Sequence, residues 1–265
     1  MGLPVILLRI IPVVLLSSFA VAQSHREIQK TVPLTLDGRL FVDTYKGSVK
    51  LDTWDKPEVE IHARIEADDW EERGDEKVRD TEILIDGSSG SVRIKTDYSK
   101  VRRRSRGFFG FLDGDTGNLP FVHYRITMPA TASLKIKDYK SDLTVNNLES
   151  RADLYTYKGT VEVKNLKGGV DLETYKGKCE IEFSDLEESS LETYKGKIAV
   201  MIPRGEGFSV DADLGRRVDL DSDFELISRS TRRSRHEERF RGSIHGGGPT
   251  VKMKSYKGTF KLLSH

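Results

Sequence analysis

The stretch Asp171-Leu-Glu-Thr-Tyr-Lys-Gly-Lys178, "DLETYKGK", holds a tripeptide that recurs along the chain. Tyr-Lys-Gly begins at Tyr45, Tyr157, Tyr175, Tyr194 and Tyr256, and Tyr139 opens the variant Tyr-Lys-Ser. From Tyr139 to Tyr157 is 18 residues, from Tyr157 to Tyr175 is 18, and from Tyr175 to Tyr194 is 19. The register extends past the tripeptide. Ile136, Leu154, Leu172 and Leu191 sit three residues before each tyrosine, and Leu143, Val161, Cys179 and Ile198 four after it. Val145, Val163, Ile181 and Val200 follow two residues later. Val210-Asp-Ala-Asp-Leu-Gly215 continues the spacing as a fifth copy, with Asp213 where the tyrosine would stand.

Inside a unit the apolar period is two. In "GKCEIEF", Cys179, Ile181 and Phe183 alternate with Lys178, Glu180 and Glu182, which specifies a half-buried strand. One pair of short strands cannot bury its own apolar side, so tandem units of this length stack as a solenoid. The expectation is an all-β chain: a parallel β-solenoid with coils of 18–19 residues over 131–220, extended to 263 by a closing coil in "GGGPTVKMKSYKGTFKLL". Residues 30–130 are β-rich but not periodic in the same way, although "RLFVDTYKGSVKLDTW" (Arg39 to Trp54) has the repeat grammar, and they are expected to form hairpins or sandwich-like sheets capping the open end, where unpaired edges would invite aggregation. Basic loops are expected near 99–118 and 228–248.

The faces follow from the alternation. Leu172, Thr174, Cys179 and Ile181 point inward, and Glu173 and Tyr175 outward. The glycine is read as a turn residue that supplies positive φ. Cys179 shares its column with Leu143, Val161 and Ile198 and is read as a small core residue. With a single cysteine there is no internal disulfide.

Composition bounds the function. Residues 1–22 carry an apolar run after Arg9 and a small-x-small ending at Ala20-Val21-Ala22. This is read as a signal peptide cleaved near Ala22, so the protein is expected to be exported: periplasmic, cell-surface or secreted. The whole chain has 43 Lys and Arg against 42 Asp and Glu, and removing Arg9 leaves 42 of each. A neutral exported chain is not a general nucleic-acid binder. Membrane contact, if any, is expected to be peripheral.

Two features invite a ligand. The outward Tyr139, Tyr157, Tyr175 and Tyr194 should form a ladder beside Lys140, Lys158, Lys176 and Lys195, with Glu162, Glu173, Glu180 and Glu192 at hand to offset the lysines. One reading is structural, the tyrosines covering a corner and the lysines discouraging sideways pairing. The other is a linear platform for an anionic polysaccharide, its aromatic faces stacking on sugar rings and its ammonium groups meeting acids. The second feature is "KVRRRSRGFFGF", whose Arg102, Arg103, Arg104 and Arg106 could meet an anionic surface.

Catalysis and metals find little support. The aspartates 211, 213, 219, 221 and 223 fall at period two, which is a strand's solvent face. "DGDTGN" at 113–118 lacks a full calcium-loop pattern, and the six histidines show no ligand spacing. No nucleophile elbow, zinc-binding helix or phosphate loop is present. No cofactor, metal or catalytic residue is assigned, and the chain is read as a non-enzyme.

An ordered series of motifs resembles a known family. It runs from Trp54-Asp-Lys-Pro-Glu-Val-Glu-Ile61 through Ile126-Thr-Met-Pro129 to the repeated L-x-T-x-x-G coils and a Gly-rich last coil, covering roughly 30–263. The chain resembles the bacterial putative-adhesin family of β-solenoid domains, catalogued as a domain of unknown function. The resemblance implies an exported, non-enzymatic envelope or surface binding module. Alternatives are a structural or regulatory envelope component that binds another protein and, third, a polysaccharide-active enzyme.

Overall fold

The computed structural model describes residues 25–68, 73–105, 119–225, 227–228 and 237–265. The leader, most of the first basic loop with Arg106 and 113–118, and residues 229–236 of the second lie outside them.

The chain folds as an all-β solenoid. Its strands are β1 (His25–Pro33), β2 (Arg39–Asp43), β3 (Lys46–Trp54), β4 (Glu58–Glu66), β5 (Glu82–Ser88), β6 (Ser91–Asp97), β7 (Phe121–Pro129), β8 (Ser133–Asp138), β9 (Lys140–Asn146), β10 (Ala152–Gly168), β11 (Val170–Leu186), β12 (Ser189–Ile202), β13 (Phe208–Ser222), β14 (Ile227–Ser228), β15 (Glu237–Ile244) and β16 (Thr250–Ser264). Two short helices join them, α1 (Gly74–Asp80) and α2 (Ser99–Ser105).

β10, β11, β12 and β16 each turn a corner at their Tyr-Lys-Gly. The first half of β10 pairs in parallel with β8, Leu154 against Ile136, while its second half pairs with β9, Val161 against Leu143. β11 lies on β10 with Thr174 against Thr156 and Cys179 against Val161, and β12 lies on β11 with Ile198 against Cys179. The apolar columns are therefore continuous and buried. One runs Val49, Leu143, Val161, Cys179, Ile198, Phe260, each no more than 1% exposed. Burial pushes the Cys179 thiol up to about 12, which keeps it a neutral packing group.

The stack extends further in both directions than the period shows. β2 pairs in parallel with β8 and β3 with β9, so the segment Arg39–Trp54 is itself a coil. β6 and β7 pair in parallel with β2 and β3, forming one more coil interrupted between its halves. Only β1, β4 and β5 add antiparallel, hairpin-like edges at this end. The sequence concealed the β6–β7 coil because α2 and the basic segment separate its two strands.

At the other end the chain order breaks. β16 does not close the stack: it lies between β12 and β13, parallel to both, with Leu191 against Met253 and Met253 against Ala212. β13 and the antiparallel β15 and β14 lie outside it. The alignment that set Asp213 in the tyrosine row is also corrected, since Asp213 pairs with Lys254 and falls in the row of Glu173 and Glu192. A bulge between Leu214 and Arg217 then shifts the register.

The basic loops carry more order than expected. Ser99–Ser105 is helical because the Asp97 carboxylate accepts from the Ser99 amide (3.0 Å) and hydroxyl (2.9 Å), and because Val101 is buried. Glu237–Ile244 is a strand paired with β13.

Candidate functional site

The Tyr-Lys-Gly corner is built from the stacking itself. A Cβ on Gly177 would stand 2.2 Å from the Gly159 carbonyl oxygen, one on Gly159 2.1 Å from that of Ser141, and one on Gly258 1.9 Å from that of Gly196. Gly47, Gly159 and Gly258 also have positive φ, but Gly177 and Gly196 are not among the positive-φ glycines. What the column shares is the close approach of the neighbouring coil's backbone, and the turn conformation is only part of the reason for glycine.

Beneath the corner runs a polar column of Asp138, Thr156, Thr174, Thr193 and Ser255, aligned coil to coil. Thr156 Oγ1 donates to Asp138 Oδ2 (2.9 Å), which also accepts from the Ser141 amide (2.7 Å). Ser255 Oγ donates to the Lys257 carbonyl (3.2 Å), tying the turn from inside. The buried Thr174 and Thr193 hydroxyls reach no protein partner. Burial pushes the Asp138 carboxyl above its ordinary range, and hydrogen bonds from Ser141 and Thr156 offset part of that shift.

Above the corner stands the tyrosine ladder, longer than expected. Tyr45, Tyr139, Tyr157, Tyr175, Tyr194 and Tyr256 stack with ring centroids 4.7, 4.8, 4.7, 4.9 and 5.2 Å apart and planes within 8° of parallel. That repeat is the inter-strand distance of a sheet, so the coil stacking sets it. Its consequence corrects the expected sugar platform: the ring faces are occupied by neighbouring rings, and the inner tyrosines present only edges and hydroxyls. At one end the edge of Tyr98 meets Tyr45 at 6.2 Å and 71°, with the Arg102 guanidinium 5.8 Å from the Tyr45 centroid.

Beside the ladder runs a cationic row. Lys140, Lys158, Lys176, Lys195 and Lys257 occupy successive coils, and Arg217 pairs with Lys257 to add a sixth cation. Among the described residues none of these six forms an ion pair. Three of the four acids expected to offset them are engaged elsewhere. Glu162 holds Lys164 and Glu180 holds Lys178, each at 2.7 Å, and Glu192 holds Lys254 at 2.8 Å. The first two pairs join residues two apart on one strand face, which lie nearer than a lysine around the corner. Lys46, in the same column, is the exception: it is buried, 2.7 Å from Asp68 and 3.7 Å from the Phe121 ring centroid.

On the ladder's other flank, Tyr155, Glu173, Glu192 and Lys254 form an outward column, with Asp213 beyond them. Together with Tyr157, Tyr175, Tyr194 and Tyr256 they wall a groove of about 680 Å³. Lys257, Arg217, Tyr256 and Tyr45 were missed as site residues. The Tyr-Lys-Gly signal marked three of them, but the insertion of β16 and the bulge before Arg217 hid the order in which they stack.

The second expected site lies mostly outside the described residues. Arg102 is exposed on α2 beside Tyr45, the side chains of Arg103 and Arg104 lie outside the described residues, and Arg106 does so altogether. Among the described residues no cluster of histidine, cysteine or carboxylates could hold a metal, and no helix is long and apolar enough to cross a membrane.

No curated protein matches the chain. Among solved structures, a putative cell adhesion protein from Clostridium sporogenes is 12% identical with a TM-score of 0.49, the match covering 91% of this chain and 100% of that one. A putative adhesin from Bacteroides fragilis is 14% identical, TM-score 0.36, covering 91% and 97%. A putative lipid binding protein from Parabacteroides distasonis is 9% identical, TM-score 0.26, covering 89% and 96%. The family model described as Toastrack DUF4097 matches residues 13–263, a span that contains every motif from Trp54 to the last coil. The chain belongs to the Toastrack DUF4097 family.

Proposed function

We propose that this protein is an exported surface or envelope module that binds a linear anionic polymer, an acidic polysaccharide, along the row Lys140, Lys158, Lys176, Lys195, Lys257 and Arg217. The observation that carries the proposal is that six cations stand one per coil with no ion pair among the described residues. Two like charges about 5 Å apart in water repel by just under 1 kcal/mol, and the cost recurs along the row. A polyanion whose acids recur at a similar interval would relieve it and displace small counterions. The tyrosine hydroxyl edges alongside offer hydrogen bonds, and the stacked rings keep the row straight.

The role proposed is binding rather than catalysis, because the row is regular and among the described residues no acid–base pair interrupts it. A protein partner is the second reading, favoured by the outer edge of β1, which pairs with no other strand among the described residues and could accept one.

The test is retention on immobilised polygalacturonate of the wild type and of a variant carrying Lys158→Gln, Lys176→Gln and Lys195→Gln. The triple variant should lose most retention while its β-sheet circular dichroism is unchanged. A Lys164→Gln control, whose lysine is already paired with Glu162, should bind as the wild type. Equal retention by all three proteins would refute the proposal.

A further inference from the structure

Among the described residues the ladder has one ring face that no neighbouring ring covers. Tyr139, Tyr157, Tyr175 and Tyr194 are 39–46% exposed, whereas Tyr256 is 63% exposed. Its inner face lies on Tyr194, 5.2 Å away. On its outer side the next coil brings the bulge, where Gly215 packs backbone to backbone against Tyr256 and carries no side chain to continue the ladder. Among the described side chains no ring or cation stacks on that face. At the opposite end Tyr98 and Arg102 cover Tyr45, so the two ends differ.

The surroundings of this face are polar on both flanks, with opposite charge. Asp213 and the Glu192–Lys254 pair stand on the groove side. Asp213 lies across from Lys254 on the neighbouring strand and among the described residues forms no ion pair within 4.0 Å, and its carboxylate oxygens are acceptors for hydroxyl hydrogens. Lys257 and Arg217 stand on the other flank. An open aromatic face with a hydrogen-bond acceptor on one side and cations on the other fits a pyranose ring. The ring's C–H face would stack, its hydroxyls would donate to Asp213, and its acidic substituent would meet the cations.

We infer that Tyr256, with Asp213, Lys257 and Arg217, forms a ring seat at the end of the ladder that selects acidic glycans over other polyanions. The inference rests on the reading of the cationic row and adds ligand class and polarity to it: the glycan engages the β13 end of the row by a sugar ring and the remainder by charge.

The test compares the full chain's affinity for soluble polygalacturonate and for inorganic polyphosphate, which has charge and no ring. Tyr256→Ser should weaken polygalacturonate binding about tenfold and leave polyphosphate binding unchanged, a loss expected of one aromatic contact. Tyr256→Trp should hold or tighten the glycan, and Asp213→Asn, a nearly isosteric change at a half-buried position, should weaken the glycan only. Tyr256→Ser variants that bind polygalacturonate as the wild type does, or that weaken both polymers alike, would overturn the seat. If the lysine variants keep both affinities while Tyr256→Ser loses the glycan, the seat stands and the cationic row falls. A wild type that binds polyphosphate but not polygalacturonate removes the seat and keeps the row, and one that binds neither removes both.

Discussion

Asp138 and Thr193 occupy the same inward column and show how the corner trades stability for its shape. Asp138 is the one carboxylate of that column, and burial holds its carboxyl above the ordinary 3.8. A carboxyl raised in this way binds its proton more tightly in the folded chain than in the unfolded one. Its ionised form is therefore a cost at neutral pH, relieved as pH falls from the raised value toward 3.8. Asp138→Asn keeps an acceptor for the Ser141 amide and the Thr156 hydroxyl. It should raise the urea midpoint at pH 7 and remove the gain that the wild type shows on mild acidification, and a fall in midpoint at pH 7 would contradict this account. Thr193 carries a buried hydroxyl without a protein partner. Thr193→Val, of nearly equal shape, should stabilise by about 1 kcal/mol in the same titration, because burying an unpaired hydroxyl costs that order.

At the scale of the coil, the repeat was legible because three physical periods coincide in it. Alternation gave the strands, the 18-residue interval gave the stacking, and glycine marked the corner. The reason for the glycine was only half legible. Positive φ is a property of one chain segment and can be guessed from it, whereas contact with the neighbouring coil's carbonyl exists only after stacking. Gly258→Ala, with φ of 135° and an oxygen 1.9 Å from the new carbon, should cost at least about 3 kcal/mol. Gly90→Ala, which meets nothing within 4 Å, should be tolerated. Thermal melts of the two variants check this, and equal melting temperatures would show that the corner is not held by close approach. The same limit explains the misplaced acids: Glu162 and Glu180 looked available to the lysine row, but Lys164 and Lys178, each two residues away on the same strand face, reach them first.

For the whole molecule, chain order and stacking order diverge at two places, and both were invisible in the sequence. The coil of β6 and β7 is split by α2, and β16 enters between β12 and β13. The second rearrangement matters for function. It carries Tyr256 and Lys257 into line with Tyr194 and Lys195, sets Arg217 after them, and among the described residues leaves the outer face of Tyr256 without a ring. The candidate site was thus legible as a motif at Tyr139, Tyr157, Tyr175 and Tyr194. It was not legible as an uninterrupted row with two unlike ends.

The central claim is that this row acts as an array of free charges, and the salt dependence of binding tests it most directly. Affinity for polygalacturonate should fall linearly with salt on logarithmic axes, because each bound cation releases about one counterion. Removing Lys158, Lys176 and Lys195 singly and then together should reduce that slope by somewhat less than one per lysine. A slope near zero in the wild type, or one unchanged in the triple variant, would contradict the account.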